Sequence, residues 1–153
     1  MGLFDKIKSI KSFISGNAAK VELLMDASVK RGKPFKITVT AEVKENNIEL
    51  KRVYFRLLST EKVIVTRTVQ DGGNISIKEE EKKNTLNDVY FDVIASGTLH
   101  ANEKYTWEKE ITLPEHLQPT FNAYPRTHVW QVIAGIDMKG NDPDSGWKDL
   151  FVE

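Results

Sequence analysis

Cysteine is missing from this chain of 153 residues, and so is any apolar run long enough to cross a bilayer. Without cysteine there is no thiol nucleophile, no thiolate zinc site and no disulfide. A membrane-spanning helix needs about 20 consecutive apolar residues. The N-terminus does not have the pattern of a secretory signal, because Lys6, Lys8 and Lys11 interrupt the apolar run that a signal requires. We therefore expect a cytoplasmic protein.

The chain also lacks an excess of charge of either sign, since 22 lysine and arginine residues balance 22 aspartate and glutamate residues. Binding to nucleic acid is typical of domains with a basic excess or a basic stripe. We expect no nucleic-acid partner.

Motifs of catalysis are lacking too: there is no G-x-S-x-G elbow, no P-loop and no G-x-G-x-x-G. Gly72 and Gly73 lie in a polar stretch without a following helix, which indicates a turn rather than a phosphate cradle. His100, His116 and His128 do not have the spacing of a metal motif. We expect a protein that is not an enzyme and holds no cofactor and no metal. One alternative is an enzyme whose site is assembled from these histidines and dispersed acids. Another is a ligand- or carbohydrate-binding sandwich.

One cluster of oxygen ligands leaves two interpretations open. It comprises Asp137, Asn141, Asp142 and Asp144, close to two glycines. Calcium favours such ligands. The same residue types are the common turn formers, no EF-hand register fits, and a bidentate glutamate is missing. The pattern favours a turn.

What the chain does contain is the alternation of β-strands. Residues 35–43 alternate apolar and polar side chains, which predicts a strand with one buried face. Further strands are predicted at 48–58, 63–65, 89–95, 105–111, 129–138 and 147–152. Residues 71–88 are the most polar stretch and predict a solvated loop with a short strand at Ile75 and Ile77. Its charge run at 79–83 is either solvated or a docking segment. We place residues 89–95 in a central strand, because they are apolar on both faces.

Eight to ten strands at this spacing predict an all-β fold, an antiparallel immunoglobulin- or arrestin-like β-sandwich over residues 17–153. Its buried face should include Val21, Leu23, Phe35, Ile37, Val39, Val53, Phe55, Leu57, Val93, Trp107, Val132 and Ile136. Five aromatic residues either fill this core or form a binding surface: Tyr105, Trp107, Phe121, Tyr124 and Trp130.

A short amphipathic helix is predicted before the sandwich, within residues 1–16. Apolar side chains recur there at three- and four-residue spacing, with lysines beside them. The candidate membrane- or partner-binding residues are Leu3, Phe4, Lys6, Ile7, Lys8, Ile10, Lys11 and Ile14. The helix either docks on the sandwich or binds an anionic membrane or a partner groove. Residues 2–14 also resemble antimicrobial peptides of the GLFD type, which lie in membrane interfaces.

Three segments together resemble the arrestin fold, and most closely bacterial sporulation-control proteins with an arrestin-like domain. Residues 16–23 are similar to the start of that domain. Residues 111–121 resemble the run in which a strand ends at Leu113-Pro114 and Pro119 precedes a small hydroxyl residue. Residues 129–137, followed by Asp142-Pro143, resemble the next strand. The similarity covers residues 17–145, which is one sandwich where most relatives have two.

The resemblance implies a non-enzymatic adaptor or regulatory module whose protein partner the sequence does not name. If the N-terminal helix does not dock on the sandwich, we expect it to associate peripherally with a membrane. Because a single sandwich leaves open sheet edges, we also expect a homodimer.

Overall fold

A computed structural model describes residues 18–153, and the helix predicted within residues 1–16 lies outside them. The described chain consists of strands joined by turns. The strands are β1 (Ala19–Leu24), β2 (Ser28–Val29), β3 (Pro34–Val43), β4 (Ile48–Asp71), β5 (Asn74–Leu99), β6 (Lys104–Thr112), β7 (Phe121–Ala123), β8 (Arg126–Met138) and β9 (Lys148–Val152). No helix within residues 18–153 is long and apolar enough to span a membrane.

Two sheets pack face to face. The smaller has the order β1-β3-β6, and the larger has the order β2-β9-β8-β4-β5, with β7 paired to β8. Every ladder is antiparallel except the short β2–β9 pair. The predicted all-β antiparallel sandwich is therefore confirmed.

The core lies between the sheets because alternate residues of facing strands point inward. Val53, Phe55 and Leu57 of β4 are fully buried. Ile37 and Val39 face them from the smaller sheet, also fully buried. Nine of the twelve side chains predicted for this face are buried. The other three, Phe35, Val93 and Trp107, are half-buried and pack against the same core.

Two of the three half-buried residues lie on edge strands, where one flank stays open. Val93 belongs to β5, and Trp107 belongs to β6. The placement of residues 89–95 in a central strand was accordingly wrong: among the described residues, β5 pairs only with β4.

The largest correction concerns residues 71–88, which do not form a loop. Residues 48–58 and 63–65 belong to one continuous strand, and β5 returns alongside it through a two-residue turn. Gly72 and Gly73 have φ angles of 55° and 88°, as hairpin turns of the primed types require. The charges that suggested a loop form pairs across the ladder, such as Arg67 with Glu80 at 2.9 Å between side-chain atoms.

Candidate functional site: the tyrosine–arginine face

The outer face of the larger sheet carries an unusual concentration of aromatic and charged side chains. Where Val53, Phe55 and Leu57 point into the core, the intervening Tyr54 and Arg56 point away from it. The β4–β5 register sets Arg56 opposite Tyr90. Directly opposite residues of antiparallel strands project from the same side. We call this surface the tyrosine–arginine face, made of Arg52, Tyr54, Arg56, Asp88, Tyr90, Asp92, Asp137 and Trp147.

Guanidinium groups and aromatic rings alternate across this face. The Arg52 guanidinium carbon lies 4.9 Å from the centre of the Tyr90 ring and 5.6 Å from that of Tyr54. Arg56 lies 5.0 Å from the Tyr90 ring and 5.3 Å from the Trp147 ring. These distances are within the range of cation–π attraction. The two tyrosine rings meet edge to face at 5.7 Å. The face is therefore held in one arrangement by mutual contacts.

Carboxylates fix the two arginines from their other sides. Arg56 donates from Nε and Nη2 to the two oxygens of Asp88, each at 2.8 Å. This hydrogen bonding by Arg56 lowers the pKa of Asp88 from its ordinary value. Arg52 lies 3.1 Å from Asp92 and 3.6 Å from Asp137, measured between nitrogen and oxygen. Such bidentate and bridging pairs orient a guanidinium plane more sharply than a single contact does.

The turn before β9 brings Asp142, Asp144 and Trp147 to this face. The Ser145 amide donates to the Ala134 carbonyl, and the Ala134 amide donates to the Ser145 hydroxyl, at 2.8 and 3.0 Å. The turn is thereby fixed to β8. Burial, with the nearby carboxylates of Asp142 and Asp144, raises the pKa of Tyr54 to about 12. The Tyr54 phenol is therefore neutral at physiological pH.

Part of the face remains open to solvent and rich in side chains that dominate protein interfaces. Tyr90 is 43% exposed and Trp147 is 40% exposed. Tryptophan, tyrosine and arginine are the residues most enriched among interface hot spots. The three aspartates of the face outnumber its two arginines, and Asp142 and Asp144 lie beside it, so the net charge of this surface is negative.

Comparisons with known proteins bear on the fold. No family model and no curated protein matches the chain. Among solved structures it is similar to that of the sporulation control protein Spo0M from Bacillus subtilis, with 20% identity and a TM-score of 0.63. The match covers 89% of this chain and 49% of that one, so the chain spans about half the length of the protein it resembles.

The fold is arrestin-like. The resemblance read from residues 16–23, 111–121 and 129–137 is thus confirmed at the level of the fold. At this identity the similarity carries no binding or regulatory role from one protein to the other.

The site residues predicted from the sequence do not belong to the tyrosine–arginine face. They are Leu3, Phe4, Lys6, Ile7, Lys8, Ile10, Lys11 and Ile14, and all lie outside the described residues. Where the described chain begins, Ala18 borders an open cleft of about 840 Å³ on the arrestin-like sandwich. Val43, Ile48 and Met138 supply its apolar lining.

The oxygen-rich segment at 137–144 forms a turn whose carboxylates bind backbone amides. Asp142 accepts from the Met138 amide at 3.3 Å, and Asp144 accepts from the Gly146 amide at 2.8 Å. Asp137 faces Arg52 instead. Across residues 18–153, no three histidine, aspartate or glutamate side chains are grouped so that they could hold a metal ion.

The three histidines are dispersed, and His128 is enclosed in the core. Its Nδ1 lies 2.8 Å from the Pro119 carbonyl oxygen, and its ring packs between Phe121 and Trp130. Nε2 has no hydrogen-bond partner among the described residues. Because the ring is fully buried, it presents neither nitrogen to a dissolved substrate.

The five aromatic residues predicted as core or binding surface divide between the two roles. Trp130 is core, and its indole donates to the Gln118 carbonyl at 3.0 Å. Tyr105 and Trp107 stack on each other, half-buried. Tyr124 is 72% exposed and donates to Glu79. None of the five lies on the tyrosine–arginine face. Asp137 was singled out from the sequence, but as an oxygen ligand; the other members were missed because they come from separate parts of the chain that only the tertiary register brings together.

Proposed function

We propose that this chain is a non-enzymatic, intracellular arrestin-like interaction module, an adaptor or regulatory protein that binds a partner protein through the tyrosine–arginine face. The observation that carries the proposal is the stack of Arg52, Tyr90, Arg56 and Trp147. These contacts fix the side chains before any partner arrives, so binding loses little side-chain entropy.

The charge of the face indicates the kind of partner. Both arginines already have carboxylate partners, and Asp142 and Asp144 add negative charge. A partner that offers lysine or arginine beside an apolar residue would complement the open faces of Tyr90 and Trp147 and the surrounding carboxylates. Complementary charge increases the association rate and selects among partners.

The N-terminal helix is the second part of the proposal, and its support comes from the sequence. Three lysines flank an apolar face of five large residues, a pattern typical of helices that lie on anionic membranes. We propose that it contacts the membrane peripherally, while the sandwich presents its face to the partner.

The face is tested by quantitative affinity capture from the native cell with a double variant, Tyr90→Ser with Trp147→Ser. The control is Leu24→Ser with Phe151→Ser, which removes side chains 41% and 50% exposed from elsewhere on the surface. We expect the wild type and the control to capture specific proteins that the variant with Tyr90→Ser and Trp147→Ser does not capture. The melting temperature of that variant should be unchanged. Identical captured sets for both variants would overturn the proposal.

A further inference from the structure

The end of the β4–β5 hairpin projects beyond the rest of the sandwich. The β4–β8 ladder ends at Val63 opposite Arg126. Beyond that point, residues 64–71 and 74–81 pair only with each other among the described residues. We call this two-stranded extension the arm. Its base is fixed by the Ile64 amide, which donates to the Pro125 carbonyl at 2.8 Å, and by the Tyr124–Glu79 hydrogen bond. Two strands alone are marginally stable in water, so the arm requires further support.

Exposed apolar side chains concentrate on the same strand. Among residues 18–153, β5 contributes five of the nine large apolar side chains that are exposed. They are Ile75, Ile77, Leu86, Val89 and Tyr90. No described strand pairs with the outer edge of β5, which is therefore a template for strand addition.

The charge order of β5 complements a second copy of itself. Residues 79–83 read Glu-Glu-Glu-Lys-Lys. Two copies of a strand can pair antiparallel about a two-fold axis that is perpendicular to the sheet. Each residue must then pair with a residue of the other copy whose side chain projects from the same side of the sheet. Only registers centred on a residue satisfy that condition in this alternating stretch. Centring on Glu81 places Glu80 opposite the partner's Lys82 and Glu79 opposite the partner's Lys83.

The neighbouring registers are less favourable. Centring on Glu80 sets Glu79 against the partner's Glu81. Centring on Lys82 gives only one kind of opposite-charge pair, Glu81 with the partner's Lys83, where centring on Glu81 gives two. In the favoured register Glu81 faces its own copy, but Lys62 and Lys83 of the same chain lie 3.7 and 4.0 Å from its carboxylate and offset that repulsion.

The register also supplies the support that the arm needs. It pairs residues 77–85 of one chain with residues 85–77 of the other, up to the bulge at Leu86. The arm of each chain then lies along the part of β5 that belongs to the other chain's six-stranded sheet. Ile77 faces the partner's Thr85 beside Leu86, so exposed apolar side chains from both chains come together.

We infer that two copies of this chain form a homodimer by exchanging their arms, through antiparallel pairing of β5 centred on Glu81. The inference stands on the arm and does not depend on the tyrosine–arginine face.

Sedimentation equilibrium of the full chain with matched charge reversals tests the register. Glu80→Lys sets lysine against the partner's Lys82 on both sides of the two-fold axis, and Lys82→Glu sets glutamate against the partner's Glu80. Each variant alone should weaken dimerisation by on the order of tenfold or more. An equimolar mixture of the two should form heterodimers, because the lysines at positions 80 and 82 of one chain then face the glutamates at positions 82 and 80 of the other. Glu108→Lys reverses an exposed charge on β6 and should leave the dimer unchanged.

Formation of the heterodimer distinguishes two causes of lost dimerisation, charge repulsion at the interface and misfolding of the arm. Mixing the two variants cannot rescue a misfolded arm. A wild-type monomer at high micromolar concentration would overturn the inference. Dimerisation that both reversals leave intact, or variants that remain monomeric when mixed, would overturn it equally.

Discussion

Tyr54 and Gly135 lie opposite each other in the β4–β8 ladder, and the phenol of Tyr54 fills the space that a side chain at position 135 would need. A Cβ built on Gly135 would collide with the Tyr54 hydroxyl and its ring carbon. The glycine therefore lets a large aromatic ring lie flat against the sheet. That position in turn places Tyr54 against Tyr90 and Arg52.

We predict that Gly135→Ala destabilises the protein by about 1–3 kcal/mol, because the Tyr54 ring must leave its place. Gly97→Ala is the matched control on β5, since a Cβ there meets nothing within 4 Å. It should be neutral or slightly stabilising. Chemical denaturation measures both. In a Tyr54→Ala background the penalty at position 135 should vanish, and a penalty that persists would contradict the steric explanation.

A second prediction concerns the core. Phe55 is fully buried on β4 and packs against Phe91, with ring centres 6.4 Å apart. Phe55→Ala should cost about 3–5 kcal/mol in the free energy of unfolding, because it removes burial and leaves a cavity. Phe151→Ala, at a residue 50% exposed, should cost less than about 0.5 kcal/mol. Comparable losses for the two variants would show that the faces of β4 are assigned wrongly.

Local pattern was sufficient for the sandwich and insufficient for the arm. The alternation of residues 35–43 predicted β3 because one face of that strand is buried and the other is exposed. Residues 74–88 carry no such alternation, since both faces of the arm are exposed and its charges pair across the ladder. The glycine pair at 72–73 was the local sign of a hairpin, but its polar surroundings indicated a loop.

The tyrosine–arginine face was harder to predict from the sequence than the arm. Alternation does place Tyr54 and Arg56 on the side of β4 away from the core. Their contact with Tyr90 depends on the β5 register, which shifts between Val53 and Tyr54. The contact of Arg56 with Trp147 depends on a turn far along the chain. Neither relationship has a local signature in a single sequence.

A third prediction concerns the Arg56–Asp88 pair and pH. The pKa of Asp88 is lower in the folded chain than its ordinary value of about 3.9. The pair therefore contributes its full stability above that value and loses it as the pH falls through the lower, folded pKa. Asp88→Asn should reduce stability by about 0.2–1 kcal/mol at neutral pH, because both side chains are partly exposed.

The difference in unfolding free energy between wild type and Asp88→Asn should shrink as the solution is made more acidic than about pH 4, and also in 1 M salt. Glu108→Gln, which removes the more exposed Lys36–Glu108 pair, is the control and should show a smaller effect. A difference that stays constant from pH 7 to pH 2 would show that the ionic pair is not its source.

The fourth prediction concerns the N-terminal residues, for which two interpretations compete. Membrane contact is favoured by Lys6, Lys8 and Lys11, each contributing about 1 kcal/mol near an anionic surface. Docking on the sandwich has a candidate place in the cleft beside Ala18, where Val43, Ile48 and Met138 lie among charged and amide side chains. Substituting Phe4→Asp with Ile7→Asp places two charges on that face and separates the interpretations.

The membrane interpretation requires that the wild type co-sediments with vesicles containing anionic lipid but not with neutral ones, and that salt weakens the binding. The double variant should then lose its binding to anionic vesicles while its melting temperature stays unchanged, because a helix on the membrane contributes nothing to the stability of the sandwich. A control with Phe151→Asp places a charge on the exposed surface and should still bind. If the double variant instead melts several degrees lower while the wild type never binds vesicles, the apolar face belongs to the core. The membrane part of the proposed function would then fail, while the tyrosine–arginine face, on the opposite side of β4 from that core, would be untouched.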